Sequence, residues 1–290
     1  MTAPRHRAFG YIKPHAMGSQ AVVTAIGDLF EAAEVRVSGV RRLSGAEVAA
    51  GGFFDRQHGA VARCALAPDA SALPLGAAAA REAFEAAFGD KLAKVLAAGA
   101  LLPAEAARAK LGLSPDELLR EWAEHGAARL APGLYVAHLE HEGLYVANGF
   151  YPAMRAPFAD PEGPGVTTFE LSFDRPWRDF NEVVVGDESP AGALEESIRG
   201  FLHDRRDALG LRIDRYDNIL HASPSPLEAV LDRRAWGAPA PRGRDPFLAA
   251  LGPAAAPASL DALRDDEDLL ASLRGLDEPA AAAALAAARR

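Results

Sequence analysis

Cysteine is almost missing from this chain: Cys64 is the only one in 290 residues. A single thiol excludes a disulfide framework and a cluster of thiolate metal ligands. Long apolar runs are missing too. Although 49% of the residues are hydrophobic, no run reaches membrane-spanning length. Met1–Arg7 is not followed by the hydrophobic stretch of a secretory signal, so a cytoplasmic protein without membrane contact is the expectation. Positive charge is in deficit, with 31 Lys and Arg against 40 Asp and Glu and a net charge of −9. That balance opposes acidic membranes and polyanions, and no nucleic-acid partner is expected. A small anion stays within reach, because a few local arginines can outweigh a global imbalance.

What is present is enough apolar residue for a substantial core, in one large domain or two ordinary ones, although much of it is alanine, which buries little area. Ala8–Ile12 reads as a strand that stops at Lys13-Pro14, where proline removes a ladder donor. Ser19 caps a predicted helix to about Ala33, with Val22, Ile26, Leu29 and Phe30 on one face. Val35–Val40 alternates as a half-buried strand. Ser44 stands at capping-box spacing from Glu47 before a second helix that meets Gly51-Gly52. Strand, helix, strand, helix predicts an α/β or α+β sandwich.

From Ala65 the texture turns alanine-rich and helical through Ala77–Ala98, Pro103–Leu111 and Ser114–His125, followed by a hairpin of Leu134–Leu139 and Leu144–Val146. Two short helices about Gly112 and a hairpin suit a winged-helix-like module. Its charge does not suit DNA: Arg108, Lys110, Arg120 and Arg129 face Glu105, Asp116, Glu117, Glu121, Glu124 and Glu140. A packing or partner-docking insertion is preferred. Phe150–Arg155 predicts a short helix start, Val166–Phe173 a β-branched strand and Trp177–Val185 a helix. A further helix is expected to end near Ile198-Arg199-Gly200. Beyond Gly237, proline and alanine dominate a tail that either is partly disordered or docks as helices, with a helical Leu260–Leu273.

The segment Asn218–Ser225 carries the strongest chemical signal. Asn218–Leu220 predicts a short strand delivering His221 to a turn, and Ser225 caps a helix carrying Leu227, Val230 and Leu231. An imidazole held there could act as nucleophile or base, although alone it reads first as a structural histidine.

Several stretches in order resemble nucleoside diphosphate kinases. Phe9–Pro14 is similar to the family's first strand with its Lys-Pro end. Gly186–Pro190, Ser197–Gly200 and Asn218–Ser223 resemble its Gly-x-Thr-Asn-Pro, Ile-Arg-Gly and Asn-x-x-His-Gly-Ser signatures. Phe150-Tyr151 looks like its Phe-Phe pair, and Asp232 falls eleven residues after His221, where the family keeps a glutamate. The resemblance implies a ferredoxin-like α+β core, an antiparallel sheet with helices, made by 1–64 and 146–236. It would be interrupted by a mostly helical insertion with a small hairpin at 65–145 and followed by a tail at 237–290.

The implied chemistry is a ping-pong exchange in which His221 takes the γ-phosphate of a nucleoside triphosphate and passes it to a diphosphate. Lys13 and Arg199 would offset phosphate charge, and Asn218 would bond the sugar or a phosphate oxygen. The Phe150 ring would pack on the base, Asp232 would orient the imidazole, and Ser223 would bridge it to the helix start. Mg²⁺ would arrive with the nucleotide phosphates rather than in a protein cage. The family's homo-oligomers are a further implication, with the insertion able to block their contacts.

The pattern departs from the family inside the phosphate clamp. The family's arginine aligns with Glu182 and its threonine with Glu188, while Ala222 and Pro224 stand for a glycine and an aspartate. Ser189 or Arg178 are candidate replacements, and Phe54 and His58 compete for the position of a family tyrosine. About nine extra residues separate Arg199 from His221 and include Arg205, Arg206, Arg212 and Arg215. These departures leave a second reading open, a catalytically weak nucleotide-binding or interaction module of the same fold.

Overall fold

The computed structural model describes residues 5–239, 245–252 and 260–288. Segments of the expected tail at 240–244, 253–259 and 289–290 lie outside the described residues. Eight strands occur among the rest: β1 (His6–Ile12), β2 (Arg36–Leu43), β3 (Leu101–Pro103), β4 (Ala128–Ala131), β5 (Leu134–Leu139), β6 (Leu144–Ala147), β7 (Val166–Phe173) and β8 (Leu220–Ala222). They form two four-stranded sheets, β2-β7-β1-β8 and β3-β6-β5-β4, in a mixed α/β chain of the α+β kind. The chain divides into two compact units. The first takes the described residues of Met1–Gln57, Pro157–Arg264 and Asp268–Arg290, and the second His58–Ala156 and Asp265–Glu267. Boundaries at 64/65 and 145/146 were expected from the change of texture. The first crossing falls instead within the helix Phe53–Ala65, next to a break at Gly59.

In the first unit β1 is buried almost throughout, as a central strand covered on both faces should be. It runs antiparallel to β7 and to β8, with Tyr11 opposite His221. The pleat sends Ala8 and Ile12 to one face, where they join Phe169, Leu171 and Phe173 of β7. Val22, Ile26 and Phe30 of the helix Gln20–Ala32 cover that face, together with Ile198 and Leu202. Each large apolar side chain buried this way contributes about 1.5–3 kcal/mol. Phe9 and Tyr11 point to the opposite face and meet Trp236 at ring distances of 6.4 and 4.5 Å. Gly10 lets β8 come close: a Cβ there would lie 2.5 Å from the Phe169 ring and 2.9 Å from the His221 carbonyl.

Local signals account for much of this. Ser19 caps Gln20–Ala32 through the Val22 amide, and Ser44 with Glu47 forms a reciprocal capping box. Three expectations are corrected. The second strand is a largely exposed edge, Arg36–Leu43, with a register shift between Ser38 and Arg41. The helix containing Arg199 begins rather than ends at Ile198, because Ser197 caps it by accepting from the Gly200 amide. The strand near His221 starts at Leu220, not Asn218, since Ile219 adopts φ +72° and leaves the β region.

The helices Pro246–Leu251 and Glu278–Ala288 belong to this unit, as does Glu267–Leu273 from Asp268 on. Phe247, Leu260, Leu273 and Leu285 pack with Leu227, Val230 and Leu231 of the helix Pro226–Ala235. The expected Leu260–Leu273 helix is shorter and divided, into a turn at Ala262–Asp265 and a helix Glu267–Leu273. Buried Arg233 ties the helix Pro226–Ala235 to β7 through Glu170 (2.8 and 2.9 Å) and to Asp245 (3.3 Å).

The second unit carries more strand than expected. The β5–β6 hairpin is present, but β3 joins it in parallel and β4 in antiparallel pairing, making a full sheet. These flanking strands have three and four residues, too short for alternation to reveal. The alanine-rich run Ala77–Ala98 is two helices, Ala78–Phe88 and Leu92–Ala97, separated at left-handed Gly89. Trp122 locks the unit by donating to the Val146 carbonyl at 3.0 Å. Among the described residues no helix is long and apolar enough to cross a membrane.

Candidate active site

His221 sits in the middle of edge strand β8, which pairs with β1 on one side only. The residue before its strand is strained. Ile219 carries φ +72° while the Leu220 amide donates back to the Asn218 carbonyl at 2.9 Å, a γ-turn geometry that a β-branched residue rarely accepts. Three contacts then fix the imidazole. Tyr11, its cross-strand neighbour, stacks on it at 4.9 Å and 23°. Asp232 Oδ2 lies 2.8 Å from Nε2, and the Gln57 side-chain nitrogen lies 3.0 Å from the same atom.

The partners of Gln57 decide the proton's position. An indole N–H can only donate, and Trp236 donates to Gln57 Oε1 at 2.7 Å while the Tyr11 hydroxyl donates to it at 3.1 Å. The amide nitrogen therefore faces His221. The carboxylate is the one acceptor at Nε2, so Nε2 carries the proton and donates to Asp232. Nδ1 keeps its lone pair and makes no hydrogen bond among the described residues.

Asp232 reaches this position because the helix Pro226–Ala235 starts at once after the strand. Ser225 caps it by accepting from the Glu228 amide, and Pro226 occupies its first turn. Burial pushes the Asp232 carboxyl up, but His221, the Ser223 hydroxyl and Arg264 outweigh it and hold the group below its ordinary value. Ser223, fully buried, lies 2.7 Å from Asp232 Oδ2 and 3.0 Å from the Phe9 carbonyl, and its single proton goes to the carboxylate. Asp232 does not pair with its neighbours Arg233 or Arg234, which bond Glu170, Asp245 and Asp261.

A cleft of about 590 Å³ opens in front of His221. Its walls carry Arg199 and Arg274 and the carboxylates of Glu182, Asp187, Glu188 and Glu228. Arg199 is 7% exposed and donates to the carbonyls of Gly186 (2.9 Å) and Leu220 (3.2 Å), while its Nε is buried with no partner among the described residues. Burial lowers its pKa to about 10, against the pull of Glu188 and Asp187, and it stays charged at neutral pH. Gly186 makes room for this wall at φ +92°, where a Cβ would lie 2.4 Å from Ser197 Oγ. Glu228 is pushed up to about 7 by burial, with Arg274 pulling it down and Asp232 pushing it up.

The remaining expected residues divide. Lys13 does not line the cleft. Its ammonium donates to the Tyr216 carbonyl at 2.8 Å, and burial, then Arg199, lower it to about 8. Asn218 also stands outside the lining, donating to the Glu188 carbonyl at 3.1 Å, its own oxygen buried with no partner among the described residues. Phe150 belongs to the second unit, where its ring packs 5.2 Å from Trp122. Of the two competitors for the tyrosine position, Phe54 stacks on Phe158 at 4.1 Å, and His58 meets Tyr151 within the second unit. Gln57 holds the contact to the imidazole. Gln57, Trp236, Glu228, Arg264 and Arg274 were not foreseen, and only the Gln57 neighbourhood carried a sequence signal, the search for a group near Phe54–His58. Arg178 pairs loosely with Glu182 at 4.0 Å and does not line the cleft.

No protein-family model matches the sequence, and no curated protein matches it. Among solved structures the chain is similar to an NDP kinase from Pyrobaculum aerophilum, at 19% identity over 80% of this chain and 96% of that one, with a TM-score of 0.38. A likeness that loose carries no argument about activity; the side chains do.

Proposed function

We propose that the chain is a nucleoside diphosphate kinase-like phosphotransferase that moves a γ-phosphate from a nucleoside triphosphate to a diphosphate through phosphohistidine. The observation that carries this reading is the state of His221: Nε2–H is tied to buried Asp232, and Nδ1 is left as a lone pair on a residue lining an arginine-bearing cleft. The antiparallel order β2-β7-β1-β8, with helices over its face, supports a ferredoxin-like core.

In the first half-reaction the Nδ1 lone pair forms a bond to the γ-phosphorus. The bond from that phosphorus to the β–γ bridging oxygen breaks, and the diphosphate leaves with the electron pair. The ring then carries cationic character, which Asp232 offsets through Nε2–H, while Ser223 keeps the carboxylate in place. A terminal oxygen of the acceptor diphosphate attacks the phosphoryl group in reverse, and Nδ1 recovers its pair. Arg199 offsets charge on the moving phosphoryl group from the cleft wall. Lys13, held at Tyr216, contributes charge from behind that wall, and Asn218 shapes it through Glu188. Mg²⁺ would enter as part of the nucleotide substrate, held by its phosphates.

Incubation with γ-labelled ATP and Mg²⁺ is expected to give base-stable, acid-labile label on the protein, and His221→Ala to abolish it. Label persisting in that variant sinks the assignment. The acidic rim of Glu182, Asp187 and Glu188 favours a second reading, nucleotide binding with little exchange. Measurable binding of MgADP without phosphoryl exchange would select it.

A further inference from the structure

Arg274 differs from every other cation near His221 in what holds it. Both terminal nitrogens of Arg199 already donate to backbone carbonyls, and the Lys13 ammonium is bonded to another. Among the described residues the Arg274 guanidinium meets carboxylate side chains alone, Glu188 at 3.2 Å and Glu228 at 3.9 Å, and half of its side chain is exposed. Such a pair is weakly held in contact with solvent. A phosphate offers the same planar fork two oxygens and more charge.

The backbone that carries Arg274 is fixed on both sides. Leu273 before it is fully buried among Leu227, Val230 and Leu231. Gly275 after it donates its amide to the Pro224 carbonyl at 3.2 Å, three residues past His221. Two residues further on, Asp277 accepts from the Trp177 amide at 2.9 Å, and buried Glu278 bonds His6 and the Trp177 indole. The chain is thus pinned beside the histidine's own loop, while the side chain stays free to exchange partners.

We propose that Arg274 is a phosphate-binding residue of the cleft, stored on Glu188 and Glu228 until the phosphates of a nucleoside di- or triphosphate displace those carboxylates. The C-terminal segment thereby becomes part of the active site. This assignment rests on the phosphotransferase reading for its ligand class, but its test does not depend on phosphoryl transfer.

The test uses the full chain and titrates MgADP, and separately inorganic tripolyphosphate with Mg²⁺, into wild type, Arg274→Ala, Arg274→Lys, Glu188→Gln and the double variant Arg274→Ala/Glu188→Gln. Lys91→Ala, which removes an exposed cation elsewhere, serves as control. Arg274→Ala is expected to weaken both probes at least tenfold, and Arg274→Lys to weaken them less. Glu188→Gln is expected to tighten binding several-fold, with most of that gain lost in the double variant. Unchanged affinity in a folded Arg274→Ala, or a Glu188→Gln gain that survives intact without Arg274, overturns the assignment. Should Arg274→Ala fail to fold, the comparison of Arg274→Lys with wild type and with Glu188→Gln decides in the same way. Binding that depends on Arg274 without any label on His221 removes the phosphotransferase reading and leaves Arg274 in its role. A wild type that binds neither probe overturns both.

Discussion

Glu228 lies in the first turn of the helix Pro226–Ala235, with its side chain 14% exposed, and burial pushes its carboxyl from the ordinary 4.5 up to about 7. That displacement has a consequence for stability that can be worked through. Below about pH 4.5 the group is protonated in both folded and unfolded chains and contributes no difference. Between about 4.5 and 7 the unfolded chain loses the proton while the folded chain keeps it, so the folded state binds more protons and stability falls as pH rises. Above 7 both states are ionised and the fold carries the full cost of a buried carboxylate, on the order of 3 kcal/mol for a displacement of that size. Glutamine has nearly the same shape, keeps an oxygen for the Ser225 hydroxyl, and is neutral at every pH.

Glu228→Gln is therefore expected to match the wild type near pH 4.5 and to exceed it by a few kcal/mol at pH 8. The two opposing effects are small. Arg274 loses a partner 3.9 Å away while half exposed, and the helix N-terminus loses a favourable charge of about 0.3–1 kcal/mol. Urea unfolding of both proteins at pH 5, 6, 7 and 8 measures the difference directly, and subtraction cancels the contribution of the other titrating groups. A difference that stays flat across that range, or a variant less stable than wild type at pH 8, refutes the reasoning.

Two further outcomes follow from the buried ion pairs. Arg233→Ala strands Glu170 and Asp245 in the protein interior and is expected to cost about 3–5 kcal/mol, read as a lowered denaturation midpoint. Asp232→Asn removes the charge that holds the Nε2–H tautomer and lets a donor NH2 face Nε2 in place of an oxygen, and is expected to slow labelling of His221 by about a hundredfold or more, with MgADP affinity little changed. Equal loss of affinity and rate would make Asp232 a structural residue only.

How much of this was legible in the sequence depended on range. The capping signals Ser19, Ser44 with Glu47, and Ser225 act within three residues, and each opens a helix where expected. Asp232 could be located because eleven residues that include a helix start have a nearly fixed geometry. Gln57 lies 164 residues from the histidine it touches, in a helix not expected as such, and no local pattern marks it. Ile219 carried the opposite of a signal: a β-branched residue predicts a strand, and only the closing of Leu220 onto Asn218 forces it left-handed. The tail read as low complexity because alanine and proline carry little periodicity. Its leucines Leu273 and Leu285 nevertheless complete the core of the first unit.

The same difference in range separates the two halves of the site. The nucleophile, its orienting carboxylate and the bridging serine are coded within twelve residues, and together they give a histidine with one nitrogen tied and the other open. The charge environment in front of it is assembled from Glu182, Asp187 and Glu188, from Arg199, from Glu228 and from Arg274 at the far end of the chain. Leaving the histidine aside, two guanidinium groups there face four carboxylates. A free polyphosphate entering such a cleft would meet net repulsion, whereas a nucleotide whose phosphates already carry Mg²⁺ brings the missing positive charge with it. On the proposed phosphotransferase reading the acidic rim would favour the metal complex over the free anion, and Arg274, released from Glu188 and Glu228, would supply a fork whose nitrogens are not tied to backbone carbonyls as those of Arg199 are.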